Sequence, residues 1–368
     1  MVNKMSFILT PQADVPELKV VNKNKKWMYY GENNLFPYEI YNLYEKSSIM
    51  TAVVGTMCDF ICGDEIVNNT GFKTVNRNGD TLEDLIRKCA NDYALFGGFA
   101  IQVIRNKGLD KIAELNWMDM RHIRVDKDIT NVWYNDWSSK KRKEPIMYPV
   151  YIQGTKQPNS VFYFKGLLTR TQYPLPMYIG SLTALQVSTE IDNYQLHNIL
   201  NNFTPSAIIN FNSGSNLGED EIEEIENKVY EKFSGTSNAG KIMICFNDNA
   251  ESATTVERLA DDNLENKYNQ LVDTITNSIY AGFRINPVLT GLNKTNSAFT
   301  KQEFSEAASL YNKTVIYPIQ KQLIDAFEKL FGKGCIEIKP FEVKFDTPAE
   351  NTNNTEAPNT NNTDNIVK

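Results

Sequence analysis

Apolar residues recur three and four apart over several stretches of this sequence and alternate with polar ones over others. The first spacing predicts helices at about 37–45 and 48–62, and again over 82–95 through Leu82, Leu85, Ile86, Cys89 and Tyr93. Thr81, with Asp84 three residues on, is the pattern of a helix start in which hydroxyl and carboxylate satisfy free amides of the first turn. Beyond Gly97-Gly98 the period shortens to two, with Phe99, Ile101 and Val103 alternating. Short apolar runs follow at 115–117, 123–125, 132–137, 147–152 and 161–164. The first part of the chain therefore reads as α+β with antiparallel strands, preceded by an irregular arm over 1–30.

The texture changes after Pro174 and Pro176. A long helix is predicted over 181–203, then a compact insert: a strand at 207–211, an acidic helix at 219–233, and strands at 241–246 and 254–256. A second long helix over 261–283 keeps Leu264, Tyr268, Leu271, Val272, Ile275, Ile279 and Phe283 on one face. The segment 285–299 breaks all periodicity with Pro, Gly and Asn. A third helix follows over 300–331, its apolar spacing continuing across Pro318, which predicts a kink rather than a stop. A last strand-like run occupies 336–345, and from 346 onward the Asn/Thr-rich, acidic composition cannot bury a core.

The 368 residues are 41% hydrophobic, enough for one large or two intimate folded units. A net charge of −7 argues against tight, sequence-independent wrapping of nucleic acid, which needs a basic surface. It does not oppose a protein past which DNA slides. The N-terminus has no apolar signal-like core, and the most apolar stretch, 49–66, contains Asp59 and Asp64, so no signal peptide and no membrane span are expected. Five cysteines and only two histidines make a metal site a poor expectation, Cys58 and Cys62 at helical i,i+4 spacing included. The segment from Gly235 to Lys241 matches the Gly-x-x-x-x-Gly-Lys core of a phosphate loop. Ile242 stands where Ser or Thr should follow, and a strand, not a helix, comes next. No cofactor and no catalysis are expected. An enzyme reading would require His122, Asp119 and Asp126 to converge in a pocket.

Several short motifs occur in a particular order. Tyr30-Gly31-Glu32-Asn33-Asn34-Leu35-Phe36-Pro37 leads into the first helices, and Phe96-Gly97-Gly98-Phe99-Ala100 opens a strand. Tyr178-Ile179-Gly180-Ser181 opens the first long helix, and Asn238-Ala239-Gly240-Lys241 lies in the insert. Phe283-Arg284-Ile285-Asn286-Pro287-Val288-Leu289 follows the second long helix, and Asn296-Ser297 precedes a helix containing Tyr317-Pro318. In this order the chain resembles, over roughly 31–332, the portal proteins of tailed double-stranded DNA bacteriophages.

The resemblance implies a portal architecture: an α+β wing over 31–178, completed by the Pro-kinked wing helix and final strand of 299–346. It further implies a two-helix stem (181–203 and 261–283), a small α/β clip (204–258), a channel loop (284–298) and a polar tail (347–368). Where the family carries a helical crown, this sequence has only the strand and the tail. About twelve copies would form a closed ring at the unique capsid vertex of the virion, after assembly in the host cytoplasm. Double-stranded DNA would pass through without sequence readout, past Asn293, Lys294, Thr295, Asn296 and Ser297 of the channel loop, with Lys294 touching phosphates transiently. Asp262, Glu265 and Asp273 would face the bore and keep the duplex centred. Glu219, Glu223, Glu226 and Lys241 would form the clip's docking surface. Implied partners are the terminase large subunit, the major capsid and scaffold proteins and a head–tail adaptor, with no membrane. Another ring-forming head–tail connector is the nearest alternative, and a cytosolic hydrolase the more distant one.

Overall fold

The computed structural model describes residues 16, 19–21, 26–139, 143–166, 171–200, 207–211, 242–246, 264–291 and 300–342. The two-residue strands β1 (Val20–Val21) and β2 (Tyr29–Tyr30) pair antiparallel, so the expected irregular arm ends in a short hairpin. The turn that follows is set by two left-handed residues, Gly31 (φ 86°) and Asn34 (φ 68°). A Cβ on Gly31 would lie 2.8 Å from Phe36 Cβ, so only glycine fits. The turn launches α1 (Phe36–Lys46), with Pro37 in the first turn, where its missing N–H is not needed. Ser47 accepts a bond from the Met50 amide and caps α2 (Ser48–Cys62). Strand β3 (Glu65–Asn68) comes next, and α3 (Leu82–Phe96) begins with the Thr81/Asp84 capping box expected from the sequence.

Strands β4 (Gly98–Arg105), β5 (Ile112–Met118) and β9 (Asn159–Lys165) form an antiparallel sheet in the order β5-β4-β9. A second antiparallel sheet holds β6 (Ile123–Val125), β7 (Asn131–Tyr134) and β8 (Ile146–Pro149). Two predicted runs are shorter than their apolar content suggested. Strand β7 stops before Trp137. Strand β8 stops at Pro149, after which Val150 bridges to Val161 beside β9.

One core carboxyl has a pH consequence. Asp92 on α3 is 3% exposed and accepts a bond from Trp117 Nε1 at 2.7 Å. Burial pushes its pKa well above the carboxylate range. The folded state then holds this proton more tightly than the unfolded chain. Stability falls as pH rises from the unfolded value, about 3.9, toward the folded one. Asp92→Asn, which keeps an acceptor for Trp117, is expected to melt above the parent at pH 7 and level with it near pH 4. Melting curves across that range check this, and equal shifts at every pH would refute it.

The chain leaves this body through α4 (Leu182–Leu200) and returns through α5 (Leu264–Phe283). Between them β10 (Ala207–Phe211) pairs in parallel with β11 (Ile242–Phe246). Parallel neighbours need a crossover rather than a tight turn, which 212–241 is long enough to supply. The helix expected at 219–233 and the strand at 254–256 lie outside the described residues.

Residues 300–342 rejoin the first body. Helix α6 (Lys301–Tyr311) passes through a π turn, Asn312–Ile316, into α7 (Tyr317–Phe331). As expected, the helix does not stop at Pro318, and the departure from regular α geometry lies just before it. A proline ring in a regular helix would press on the carbonyl four residues back, that of Thr314, and the widened turn relieves it. Gln320 Nε2 donates to the carbonyls of Phe60 and Ile61, at 3.2 and 3.1 Å, and the rings of Phe60 and Tyr311 meet edge to face at 5.4 Å. Strand β12 (Ile336–Lys339) pairs antiparallel with β3. Gly63 makes the close approach possible, since a Cβ there would stand 1.9 Å from the Lys339 carbonyl oxygen.

Candidate functional site: the hairpin of long helices and its base

The segments that open and close the hairpin meet at its base. Ser181 ends a short 3₁₀ turn, Ile179–Ser181, and its hydroxyl donates to the Ser278 carbonyl at 2.8 Å. Gly282 permits this contact. A Cβ there would fall 2.1 Å from Ser181 Oγ and 2.8 Å from its Cβ. The rings of Tyr178 and Phe283 stack at 4.3 Å, and the Tyr178 hydroxyl donates to the Leu95 carbonyl at 2.6 Å, fastening the base to α3. Further out, the Gln195 side-chain amide bonds to the Tyr268 hydroxyl. Pairing 181 with 278 and 195 with 268 makes α4 and α5 antiparallel.

Arg284, in the left-handed region (φ 54°), ends α5. The Ile285 amide reaches back to the Tyr280 carbonyl at 3.1 Å, and the Asn286 side chain caps a 3₁₀ turn, Pro287–Thr290. The hydroxyls of Tyr280 and Thr290 lie 2.9 Å apart, closing that turn onto the helix. Behind the joint is a cavity of about 220 Å³, whose lining includes Tyr93, Gly97, Met177, Arg284, Pro318 and Gln322. The base of the hairpin thus abuts the turn after α3 and the π turn before Pro318 together.

Burial fades away from the base. On α5, Ile275, Ile279, Tyr280 and Phe283 are buried, while Asn269, Asp273 and Asn277 are exposed on another face. Leu271 and Leu196 are 48% and 53% exposed, a large apolar exposure for two helices that pack on each other. Helix α4 contains no Lys or Arg, and its exposed charges, Glu190 and Asp192, are both negative. Of the sequence-predicted residues, Asp273 is thus exposed on α5. Glu265 lies in the first turn of α5. Asp262, the loop residues Asn293, Lys294, Thr295, Asn296 and Ser297, and Glu219, Glu223, Glu226 and Lys241 fall outside the described residues.

The three groups an enzyme would need go to separate neighbours. Asp119 caps a 3₁₀ turn and pairs with Arg121 at 2.6 Å. Asp126 accepts from Thr130 and Asn131 within its own turn. His122 Nδ1 lies 3.1 Å from the Tyr134 hydroxyl, and burial holds its pKa below the usual histidine range. Each is spent on local structure.

Sequence reasoning missed two residues. Gly282 carried a signal, an isolated glycine inside an amphipathic helix, which usually marks close packing. Arg124 carried none. It is fully buried, and its guanidinium donates to Asn34 Oδ1 and to the carbonyls of Asn34, Arg121 and Ile123. The rings of Trp137 and Tyr30 lie 5.2 and 5.7 Å away. Burial lowers its pKa to about 10, so it stays charged at neutral pH. The Tyr30–Pro37 motif is therefore a structural clamp.

The family model described as "Phage portal protein" matches residues 75–359. The chain belongs to the phage portal protein family. The portal-type fold is also found in solved structures. A chain in the virion of a native gene transfer agent particle aligns over 83% of both chains at 14% identity, with a TM-score of 0.55. A chain in the neck of a native gene transfer agent particle, computed with C12 symmetry, covers 83% of this chain and 84% of its own at 15% identity, with a TM-score of 0.54. At such identities the likeness concerns the fold. An uncharacterized protein of Rickettsia felis is 27% identical over 170 residues, which is 44% of this portal-family chain. The chain spans 42% of that relative's length.

Proposed function

We propose that this portal-family chain forms a closed ring at one capsid vertex, through which double-stranded DNA enters and leaves the particle. The observation that carries the reading is the hairpin of α4 and α5. It is locked at its base by Ser181, Gly282 and the Tyr178–Phe283 stack, and largely exposed beyond it. Exposed Leu196 and Leu271 need covering, and neighbouring hairpins in a ring would cover them. The C12 symmetry of the related neck supports about twelve subunits.

In this reading 31–178 and 299–346 are the wing, 181–203 and 261–283 the stem, 204–258 the clip and 284–298 the channel loop. The pairing of β12 with β3 supports treating the two wing segments as one body. Asp262, Glu265 and Asp273 line the bore and repel the duplex, so DNA is not held by a string of phosphate contacts. Lys294, among Asn293, Thr295, Asn296 and Ser297, supplies the transient ones. Glu219, Glu223, Glu226 and Lys241 offer the clip to the terminase large subunit and later to a head–tail adaptor, while the wing meets capsid and scaffold proteins. The role is structural rather than hydrolytic, since His122, Asp119 and Asp126 are each engaged elsewhere.

Light scattering on the purified protein, with cryo-electron microscopy of the same peak, tests this. The expected result is a discrete species of about twelve times the subunit mass of 42.0 kDa. Its open hole should have Asp273 facing inward. A chain that stays monomeric with its scaffold and capsid partners present would overturn the reading.

A further inference from the structure

Just past β12 the chain is still held from both sides. The Lys339 carbonyl accepts from the Asp64 amide at 3.1 Å, and the Glu342 amide donates to Asp64 Oδ2 at 3.1 Å. Between them the Phe341 ring packs on Phe60 at 4.6 Å. The Phe341 carbonyl and the Glu342 amide are the two ends of one trans peptide and so point opposite ways. That carbonyl accepts from Asn312 Nδ2 at 2.9 Å. Asn312 is the first residue of the π turn that joins α6 to α7.

Two things are incomplete here. Asn312 Oδ1 is buried and has no hydrogen-bond partner among the described residues, a state folded proteins rarely leave standing. Beside it runs an open groove of about 500 Å³, to which Ala308, the Tyr317 ring, Pro340 and Phe341 give an apolar lining and Asn312 and Glu342 polar ends. The Tyr317 ring is 65% exposed, so this wall lacks a cover.

The described chain ends at Glu342, itself a wall of the groove. In sequence Val343, Lys344 and Phe345 come next, before the polar tail. Phe341, Val343 and Phe345 alternate with Glu342 and Lys344, so an extended continuation sets the three apolar residues on one face. In an extended chain the carbonyl of one residue and the amide two residues on point to the same side. The amide on the side of the Phe341 carbonyl is thus that of Val343, the donor that Asn312 Oδ1 lacks.

We propose that the groove is the seat of this chain's own segment 343–345, held extended by the Asn312 side chain, which donates to Phe341 and accepts from Val343. Val343 and Phe345 cover the apolar wall, while Lys344 faces away. The next large apolar residues, Ile366 and Val367, would have to close a long loop to reach the same place, whereas Val343 follows directly on a wall residue. The docking belongs to a single chain and does not depend on ring formation. The polar tail then departs beside the π turn rather than from the end of β12.

Hydrogen exchange and melting of the full-length protein test this. The Val343 amide should be protected at least about tenfold over the free-chain rate, and Asn312→Leu should remove most of that protection. Phe345→Ser should lower the melting temperature by at least about 3 °C, while Lys344→Ser, on the opposite face, should shift it by less than about 1 °C. A Val343 amide exchanging at the free-chain rate, protection unchanged in Asn312→Leu, or serine variants that melt alike would overturn the docking. Protection found only at concentrations where chains associate would also overturn it, and would give the groove to the same segment of a second copy.

Discussion

Arg124→Met is expected to destabilise the fold by at least about 1–3 kcal/mol, the cost of leaving a buried acceptor without its donor. Methionine keeps the length and apolar stem of arginine but leaves the carbonyls of Asn34, Arg121 and Ile123 and the Asn34 side-chain oxygen without their buried donor. Each orphaned acceptor costs about 1–3 kcal/mol, and the costs do not add fully because the turn can relax. No carboxylate among the described residues pairs with Arg124, so the penalty is one of unsatisfied acceptors rather than a lost ion pair. Arg124→Lys is expected to recover only part, because an ammonium cannot fork across the Asn34 carbonyl and side-chain oxygen at once. Urea unfolding measures both, with a lowered midpoint and an unchanged slope. A lysine variant as stable as the parent would show that charge, not geometry, holds the Tyr30–Pro37 turn.

Gly282→Ala is expected to destabilise by about 1–3 kcal/mol and to splay the base of the hairpin. The sign is informative, because alanine in a helix interior ordinarily gains up to about 1 kcal/mol over glycine. Only the clash with Ser181, 2.1 Å to Oγ and 2.8 Å to Cβ, reverses it. Ser181→Gly removes both clashing atoms, at the cost of the bond to the Ser278 carbonyl, about 1 kcal/mol. The double variant should therefore be more stable than Gly282→Ala alone, with a coupling above about 1 kcal/mol in a double-mutant cycle. Additive effects would mean that the two residues do not touch as described. In assembled rings, Gly282→Ala should also lower the yield, because misdirected hairpins cannot meet their neighbours.

How much was legible depends on how local the cause was. The helix over 82–96 was readable because its period, its Thr81/Asp84 cap and its left-handed Gly97 stop all lie within the element. Strand 123–125 was readable as a strand, yet nothing in the run Arg121-His122-Ile123-Arg124-Val125 tells that Arg124 is buried while Arg121 stays partly exposed. That difference is made by Asn34, which is distant in sequence and reaches Arg124 only in the fold. Pro318 announced a kink, but the π turn before it depends on what Tyr311 and Gln320 pack against. The candidate site was legible as an order of motifs. The Tyr178–Ser181 and Phe283–Leu289 motifs prove to be the two sides of one joint, which spacing alone could not reveal.

The order in which the body is built follows from where its parts lie along the chain. The apolar side of α2 is closed by Tyr311 and Gln320, and β3 is completed by β12. On the ribosome, a nascent chain that has finished both hairpin helices still lacks the wall of its own core. Domains generally fold as units, so this one cannot close until about residue 340 has emerged from the exit tunnel. Until then Phe60 and Ile61 remain uncovered, and the growing polypeptide needs shielding by chaperones or by speed.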